Sequence, residues 1–459
     1  MIERLKTICI LILLIAGITQ VGILWNYQSQ GTPTGLFSGL FGISKAPQVS
    51  DDMLREKLFF PDRLILSDGS SSYWIVGDNV KSYSALWDET KQGLSQIFYG
   101  DAKMTKASEN WAEVAAKRGI LIDFGFSMST DLLSWFLGVV NPSHELADIR
   151  KLMINRDITD ETVSIFYFLG NDGTVYRSSR IRYDEAVKLE EIIKSVSQIS
   201  RGYTSLGGSN INKQNDAPDV LYAVAPKYWR YSSFSLKSPV NVEGNDELAS
   251  IILGFEKDRY NMSKMSGNII QFNYGDNVYR YYEDDYMTYR YLENAYTSGK
   301  GQVGKALLNT YQFISDIYDD MQMTADIALT SVEELSSGVY HFGFDYKVAG
   351  MPVKIDIETK DGNGSRLLHA IDVQADTKRV LKCDWLLKGF DNITINNYDD
   401  RFNILLASLE MSFSEINIQD IYSCYFIDSP SVELLKPSLL IRTKGRGDIP
   451  IKMIPEEGG

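Results

Sequence analysis

Few residues in this 459-residue chain combine the chemistry and the spacing that catalysis or metal binding would need. The three histidines, His144, His341 and His369, stand far apart. His341 and His369 fall on strand-like runs, where a structural role is the ordinary reading. No His-Glu-x-x-His, Gly-x-Ser-x-Gly, Walker or Gly-x-Gly-x-x-Gly motif occurs. The acidic triplet Glu283-Asp284-Asp285 could supply paired carboxylates for glycoside cleavage. It lies between two tyrosine-rich strands, however, where a solvated turn is the simpler meaning, and nothing places a second acid at a working distance. Asp361, Asn363, Ser365 and Asp372 occupy the first, third, fifth and twelfth positions of a calcium-loop spacing. Arg366 stands where that loop needs glycine and no helices flank it, so a glycine-rich hairpin turn explains the run better. The chain reads as a non-enzyme with no metal or cofactor. Tyr279, Tyr281, Tyr282, Tyr286, Tyr289 and Tyr291 could form a protein or carbohydrate contact surface if exposed. Those alternating in register are better explained as one sheet face packed against a helix.

The polar residues best placed to meet a partner lie instead near the N-terminus. Ala16, Thr19 and Gln20 fall near one face of an uncharged apolar run from Ile8 to Trp25, with Gly17 and Gly22 close by. Helices in lipid associate through small and hydrogen-bonding side chains, which makes these three a candidate contact surface. Ordinary residue use in an anchor, with Gln20 reaching interfacial water, is the bland alternative. About 20 residues suffice to cross the hydrocarbon core, and Trp25 and Tyr27 sit where interfacial aromatics belong. Arg4 and Lys6 precede the run and no cation directly follows it, so the N-terminus is expected in the cytoplasm. A cleaved signal peptide would have a shorter apolar core and a small-residue cleavage site. This run instead reaches Trp25 and meets Asn26-Tyr27-Gln28.

Composition bounds the rest. With 44% hydrophobic and 12% aromatic residues, the chain can bury more than one core. A net charge of −14 argues against nucleic acid or an anionic lipid surface as partner. Of three cysteines, Cys9 lies in the apolar run. Cys383 and Cys424 read as buried thiols, with a single bridge between them as the alternative.

The elements follow from periodicity and breaks. Gln28 to Asp51 reads as a juxtamembrane tether rich in small residues. Its apolar cluster, Leu36, Phe37, Leu40, Phe41 and Ile43, could lie on the membrane surface, although it lacks the basic face such helices carry. A hairpin about Asp68-Gly69 precedes a helix containing Leu86, Trp87, Leu94, Ile97 and Phe98. A second helix starts near Trp111, with Ser108 as cap and Gly119 past its end. A strand at Ile120–Phe124 follows, then a short helix ended by Asn141-Pro142. Strands at Val163–Leu169 and Val175–Ile181 flank Asn171-Asp172-Gly173. Asp184 is expected to cap a helix with Val187, Ile192, Val196 and Ile199 inward. A polar stretch, Gly202–Asp219, separates this α+β unit from strands at 220–224, 251–255, 268–274, 278–282 and 287–292. A helix at 303–320 closes the middle unit. The last unit alternates strands at 339–348, 353–358, 368–375, 379–385, 416–427 and 439–443, with a short helix near 402–409.

Several stretches resemble the YycH and YycI regulatory proteins. Tyr340-His-Phe-Gly-Phe-Asp-Tyr-Lys-Val348 leads into Ala349-Gly350-Met351-Pro352-Val353. Ala370-Ile-Asp-Val-Gln-Ala375 is followed by Arg379-Val-Leu-Lys382 and Trp385. Ile418-Gln-Asp-Ile421, Tyr425 and Leu435-Lys436-Pro437 are similar to that family's last strands, as are Arg118–Phe124 and Tyr291-Leu-Glu-Asn294 to earlier ones. Cys424 stands where the family has glycine. The resemblance implies an α+β protein with an N-terminal transmembrane helix and three extracytoplasmic α+β domains, the last two rich in antiparallel sheet and the final one PepSY- or YycI-like. Its expected plan is a cytoplasmic tail at 1–7, a transmembrane helix at 8–27, a linker at 28–56, and domains at 57–201, 202–324 and 325–459. It further implies a regulator of a WalK-type sensor histidine kinase controlling cell-wall metabolism in Gram-positive bacteria, acting with a YycI-like protein. The other class in play is an extracytoplasmic envelope protein that binds or acts on wall polymer.

Overall fold

A computed structural model describes residues 49–456, except 79, 101, 141–145, 147, 207–219, 240–247, 249–260, 267–268, 293–301, 322, 337, 360–364, 402–403, 405–417 and 444–446. The expected membrane helix with Ala16, Thr19 and Gln20 lies outside the described residues, as do the tether to residue 48, His144, Asp361 and Asn363. So do the strand expected at 251–255 and nearly all of the helix expected at 402–409. Among the described residues no helix is long and apolar enough to cross a membrane.

The first part of the chain builds one sheet. In order come α1 (Asp51–Leu58), β1 (Arg63–Ser67), β2 (Ser72–Val76), α2 (Ser82–Tyr99), β3 (Met104–Lys106) and α3 (Trp111–Ala115). Then follow β4 (Gly119–Met128), α4 (Thr130–Leu137), β5 (Ile149–Arg156), β6 (Val163–Gly170), β7 (Val175–Ser178) and β8 (Ile181–Arg182). The unit ends with α5 (Leu189–Ile199), β9 (Gly202–Ser205) and β10 (Leu221–Ala225). These ten strands pair in the order β10-β9-β2-β1-β4-β5-β6-β7-β3, with β8 on β6, so strands on both sides of residue 201 share this sheet. β1 is buried throughout because both faces are covered. Leu64 and Leu66 join the large core with Leu94 and Phe98 of α2, while Ile65 packs with Val114 of α3 on the other side. This is why the run reads as continuously apolar and does not alternate.

Local chemistry accounts for where several elements differ from expectation. Asn110, not Ser108, caps α3: its side chain accepts from Glu113 N at 2.9 Å while the Glu113 carboxylate accepts from Asn110 N. A cap must sit directly before the first helical residue, and Ser108 is too early. α4 stops at Gly138, whose φ of +68° lets the chain turn off left-handed before Asn141-Pro142 is reached. α5 begins after Lys188, beyond reach of Asp184, and its buried residues are Leu189 and Val196, leaving Ile199 61% exposed. The linker expected through residue 56 gives way to helix from Asp51 onward.

The remainder starts with β11 (Trp229–Lys237), β12 (Asn261–Met265), β13 (Ile269–Tyr274), β14 (Asn277–Tyr282), β15 (Tyr286–Tyr291) and α6 (Val303–Asp320). It continues with β16 (Asp326–Ser336), β17 (Val339–Val348), β18 (Met351–Ile355), β19 (Ile357–Glu358), β20 (Arg366–Leu367), β21 (Ile371–Asp376) and β22 (Val380–Leu386). Last come β23 (Gly389–Asp399), β24 (Ile418–Ile427), β25 (Leu434–Leu435), β26 (Pro437–Thr443), β27 (Gly447–Lys452) and β28 (Ile454–Pro455). A twelve-stranded sheet runs β12-β13-β14-β15-β22-β21-β17-β18-β24-β26-β27, with β16 on β17. Among the described strands only β18 and β24 pair in parallel. A smaller sheet, β25-β11-β23-β28, stands beside it, and β19 pairs with β20. α6 lies on β17, β21 and β22, burying Ala306, Leu307, Tyr311, Ile314 and Ile317, the stripe its 3.6-residue period marks.

Candidate functional site

The structurally distinctive region is the lead-in segment from Val49 to Arg63, because both large sheets hold it. Val49 is buried and its N–H donates to Gln312 Oε1 on α6 at 3.0 Å. Ser50 caps α1 through its hydroxyl, which accepts from Met53 N at 3.2 Å. Asp51 and Asp52 in the first turn and Arg55 and Lys57 in the last complement the helix dipole. Arg55 then lies over the Trp135 ring of α4 at 5.2 Å, and Lys57 over the Tyr311 ring of α6 at 5.2 Å. One short helix thus touches an element of each part. α4 and α6 also meet directly: a Cβ on Gly304 would lie 2.2 Å from the Trp135 indole, so only glycine admits that approach. Beyond α1, Phe59 stacks on Phe136 at 4.8 Å and its carbonyl accepts from Trp87 Nε1 at 2.9 Å.

Arg63 ends the segment in a buried ion cluster at the seam. Its Nη2 lies 2.7 Å from a carboxylate oxygen of Asp123 on β4 and 2.7 Å from one of Asp420 on β24. Nη1 donates to the Ile421 carbonyl at 3.4 Å. Lys151 of β5 stands 3.6 Å from Asp123, which also accepts from Gly125 N at 2.8 Å. Burial pushes the Asp123 carboxyl up, but Lys151 and Arg63 outweigh it and hold the group well below the usual carboxylate range. Burial likewise opposes the Arg63 charge, while Asp420 and Asp123 keep the guanidinium protonated. Asp123 is therefore paired and ionised, not poised for proton transfer near neutrality. What the arrangement can do is lock the two sheets in one relative position.

A second network lies on the large sheet. Asp345 of β17 receives Lys354 of β18 at 2.6 Å, and its other oxygen lies 3.3 Å from His369 Nδ1. Thr330 Oγ1 lies 3.1 Å from the same nitrogen. Burial works against the charged imidazole, yet the Asp345 hydrogen bond and charge win and raise the His369 pKa. Burial also opposes the Asp345 charge, and Lys354 and His369 overcome it, lowering that pKa.

The other residues singled out by type fall in separate places. His341 pairs with Asp372 at 2.8 Å on the large sheet. His369 sits in the bend before β21, not on a strand, its ring lying against Gly343. Glu283 is exposed as a turn residue should be, but Asp285 is buried at φ +63° and binds Lys388 at 2.6 Å and the Tyr281 hydroxyl at 2.8 Å. That carboxylate supports a tight turn and is not solvated. Arg366 lies on β20 against Asp356, and Asp372 lies on β21. Tyr281, Tyr282, Tyr286 and Tyr289 are buried, and Tyr289 packs on Phe313 of α6 at 4.9 Å, which is the core arrangement. Cys383 and Cys424 are unbridged and buried. No cluster of three or more potential metal ligands occurs among the described residues.

Nothing in the local sequence marks Arg63, Asp123 and Asp420 as a unit. Arg63 and Asp420 are 357 residues apart, and no local pattern joins them. The one available signal was a lone arginine opening the apolar strand Leu64-Ile65-Leu66.

No protein-family model matches the chain, and no curated protein matches it. The fold is similar to the crystal structure of YycH from Bacillus subtilis, with a TM-score of 0.55 and 13% identity over 90% of this chain and 98% of that one. The likeness establishes a YycH-like, sheet-rich α+β fold.

Proposed function

We propose that this protein is a non-enzymatic regulator of a sensor histidine kinase, held in the cell membrane of a Gram-positive bacterium by its N-terminal helix with the folded body outside. The observation that carries this reading is the fold likeness to YycH across nearly the whole of both chains. The kinase is of the WalK type, a YycI-like protein is the companion, and Ala16, Thr19 and Gln20 are the intramembrane contact face. The lead-in segment supplies a physical means: the residues next to the tether bind α4 and α6 at once, so a shift between the sheets would move the attachment of the anchor.

Co-purification of the full-length protein from membranes tests the reading, with a histidine kinase expected alongside. Thr19→Leu with Gln20→Leu should weaken kinase crosslinking and change output from a cell-wall two-component promoter; unchanged crosslinking and output would refute the intramembrane contact. Wall-polymer binding or hydrolysis by the body alone, without any kinase association, would point to an envelope-polymer protein instead.

A further inference from the structure

A pocket of about 490 Å³ opens where the first turns of α1, α4 and α6 converge. Trp135 and Leu308 give it apolar walls, Gly304 lets the indole close against α6, and exposed Asp51, Asp131 and Lys305 stand at its rim, two carboxylates against one ammonium. Its size suits several side chains. The chain enters the fold beside it: Asp51 lines the pocket, and Val49 is pinned to Gln312, one helical turn along α6 from Leu308.

The residues that lead to Val49 have the complementary chemistry. They read Phe41-Gly42-Ile43-Ser44-Lys45-Ala46-Pro47-Gln48. Pro47 and the residue before it favour extended backbone. In an extended segment Phe41, Ile43 and Lys45 share one side, because alternate residues do. Lys45 can reach about 14 Å from Val49, and Phe41 about 27 Å, at roughly 3.4 Å per residue.

We propose that this pocket receives the chain's own juxtamembrane segment, with Phe41 and Ile43 against Trp135 and Leu308 and the Lys45 ammonium between Asp51 and Asp131. Docking shortens the free tether from roughly 21 residues (28–48) to roughly 13 (28–40), drawing the body toward the bilayer; release lets it out again. The inference rests on the membrane anchoring proposed above but not on the kinase assignment, so the absence of a co-purifying kinase would leave it standing.

Trypsin cleavage after Lys45 in the full-length protein, reconstituted in neutral lipid vesicles, provides the test. Cleavage frees the body with Ala46 at its new N-terminus. Asp131→Asn, which leaves α1 and its Asp51 unchanged, is expected to speed this cut about tenfold, as is Trp135→Ala. If Trp135→Ala lowers the melting temperature, Asp131→Asn decides. Ile43→Cys with Leu308→Cys should form a disulfide at monomer mass on mild oxidation. Equal cleavage rates in all variants would overturn the proposal and indicate a tether that is free or lies on the lipid. A disulfide only at dimer mass would overturn it in favour of a second copy of the chain.

Discussion

Removing Arg63 would leave Asp123 and Asp420 facing each other in a water-poor seam. Breaking a buried pair from one side costs about 3–5 kcal/mol, so Arg63→Ala should lose that much in urea unfolding followed by tryptophan fluorescence. Titration gives two further readings of opposite sign. Asp345 has a depressed pKa in the folded protein, so its contribution is present above the unfolded carboxylate value and disappears as pH falls through the folded one. Lys354→Met removes the main cause and should move acid unfolding to higher pH. His369 has a raised pKa, so its contribution is complete below about 6.5, the unfolded value, and is lost as pH rises through the folded value. His369→Gln should flatten stability across that interval, as measured by chemical denaturation at successive pH values. Residue types alone placed His369 on a strand. Its position over Gly343 is fixed by Asp345, which meets it through a turn that apolar periodicity does not encode.

At the scale of elements, α6 was legible to the residue, because a long amphipathic stripe between polar ends is a strong signal. β17 was equally clear, since Tyr340, Phe342, Phe344 and Tyr346 alternate along it. β5 gave no such signal: Arg150, Lys151, Asn155 and Arg156 interrupt its apolar run, and Lys151 and Arg156 are buried against Asp123 and Glu89, whose positions local sequence does not reveal. The contact between α4 and α6 was also hidden, because glycine at 304 reads as a weak point of a helix until Trp135 is seen against it. Gly304→Val should push the two helices apart and lower stability by about 1–3 kcal/mol, the usual range for overpacking. In combination with Trp135→Ala the loss should be clearly less than the sum, because the smaller ring position removes the clash; thermal unfolding of the four proteins would show it.

For the molecule as a whole, composition and alternation were enough to indicate a sheet-rich α+β protein, and the YycH-like fold agrees. How the strands are shared was not readable, since β13 to β15 join β22 through pairs nearly a hundred residues apart, such as Met287 with Trp385. The overall charge of −14 leads to a plain expectation: in a sedimentation assay the body should not bind vesicles rich in anionic lipid at low salt. The Arg63–Asp420 lock carries a temporal consequence as well. Its two halves lie 357 residues apart, so at about 5–20 residues per second the arginine waits roughly 20–70 s for its second acid to be synthesised. During that wait the first sheet can form while its seam remains unsealed, which makes the emerging chain most exposed to proteases and to chaperones just before its C-terminal strands arrive.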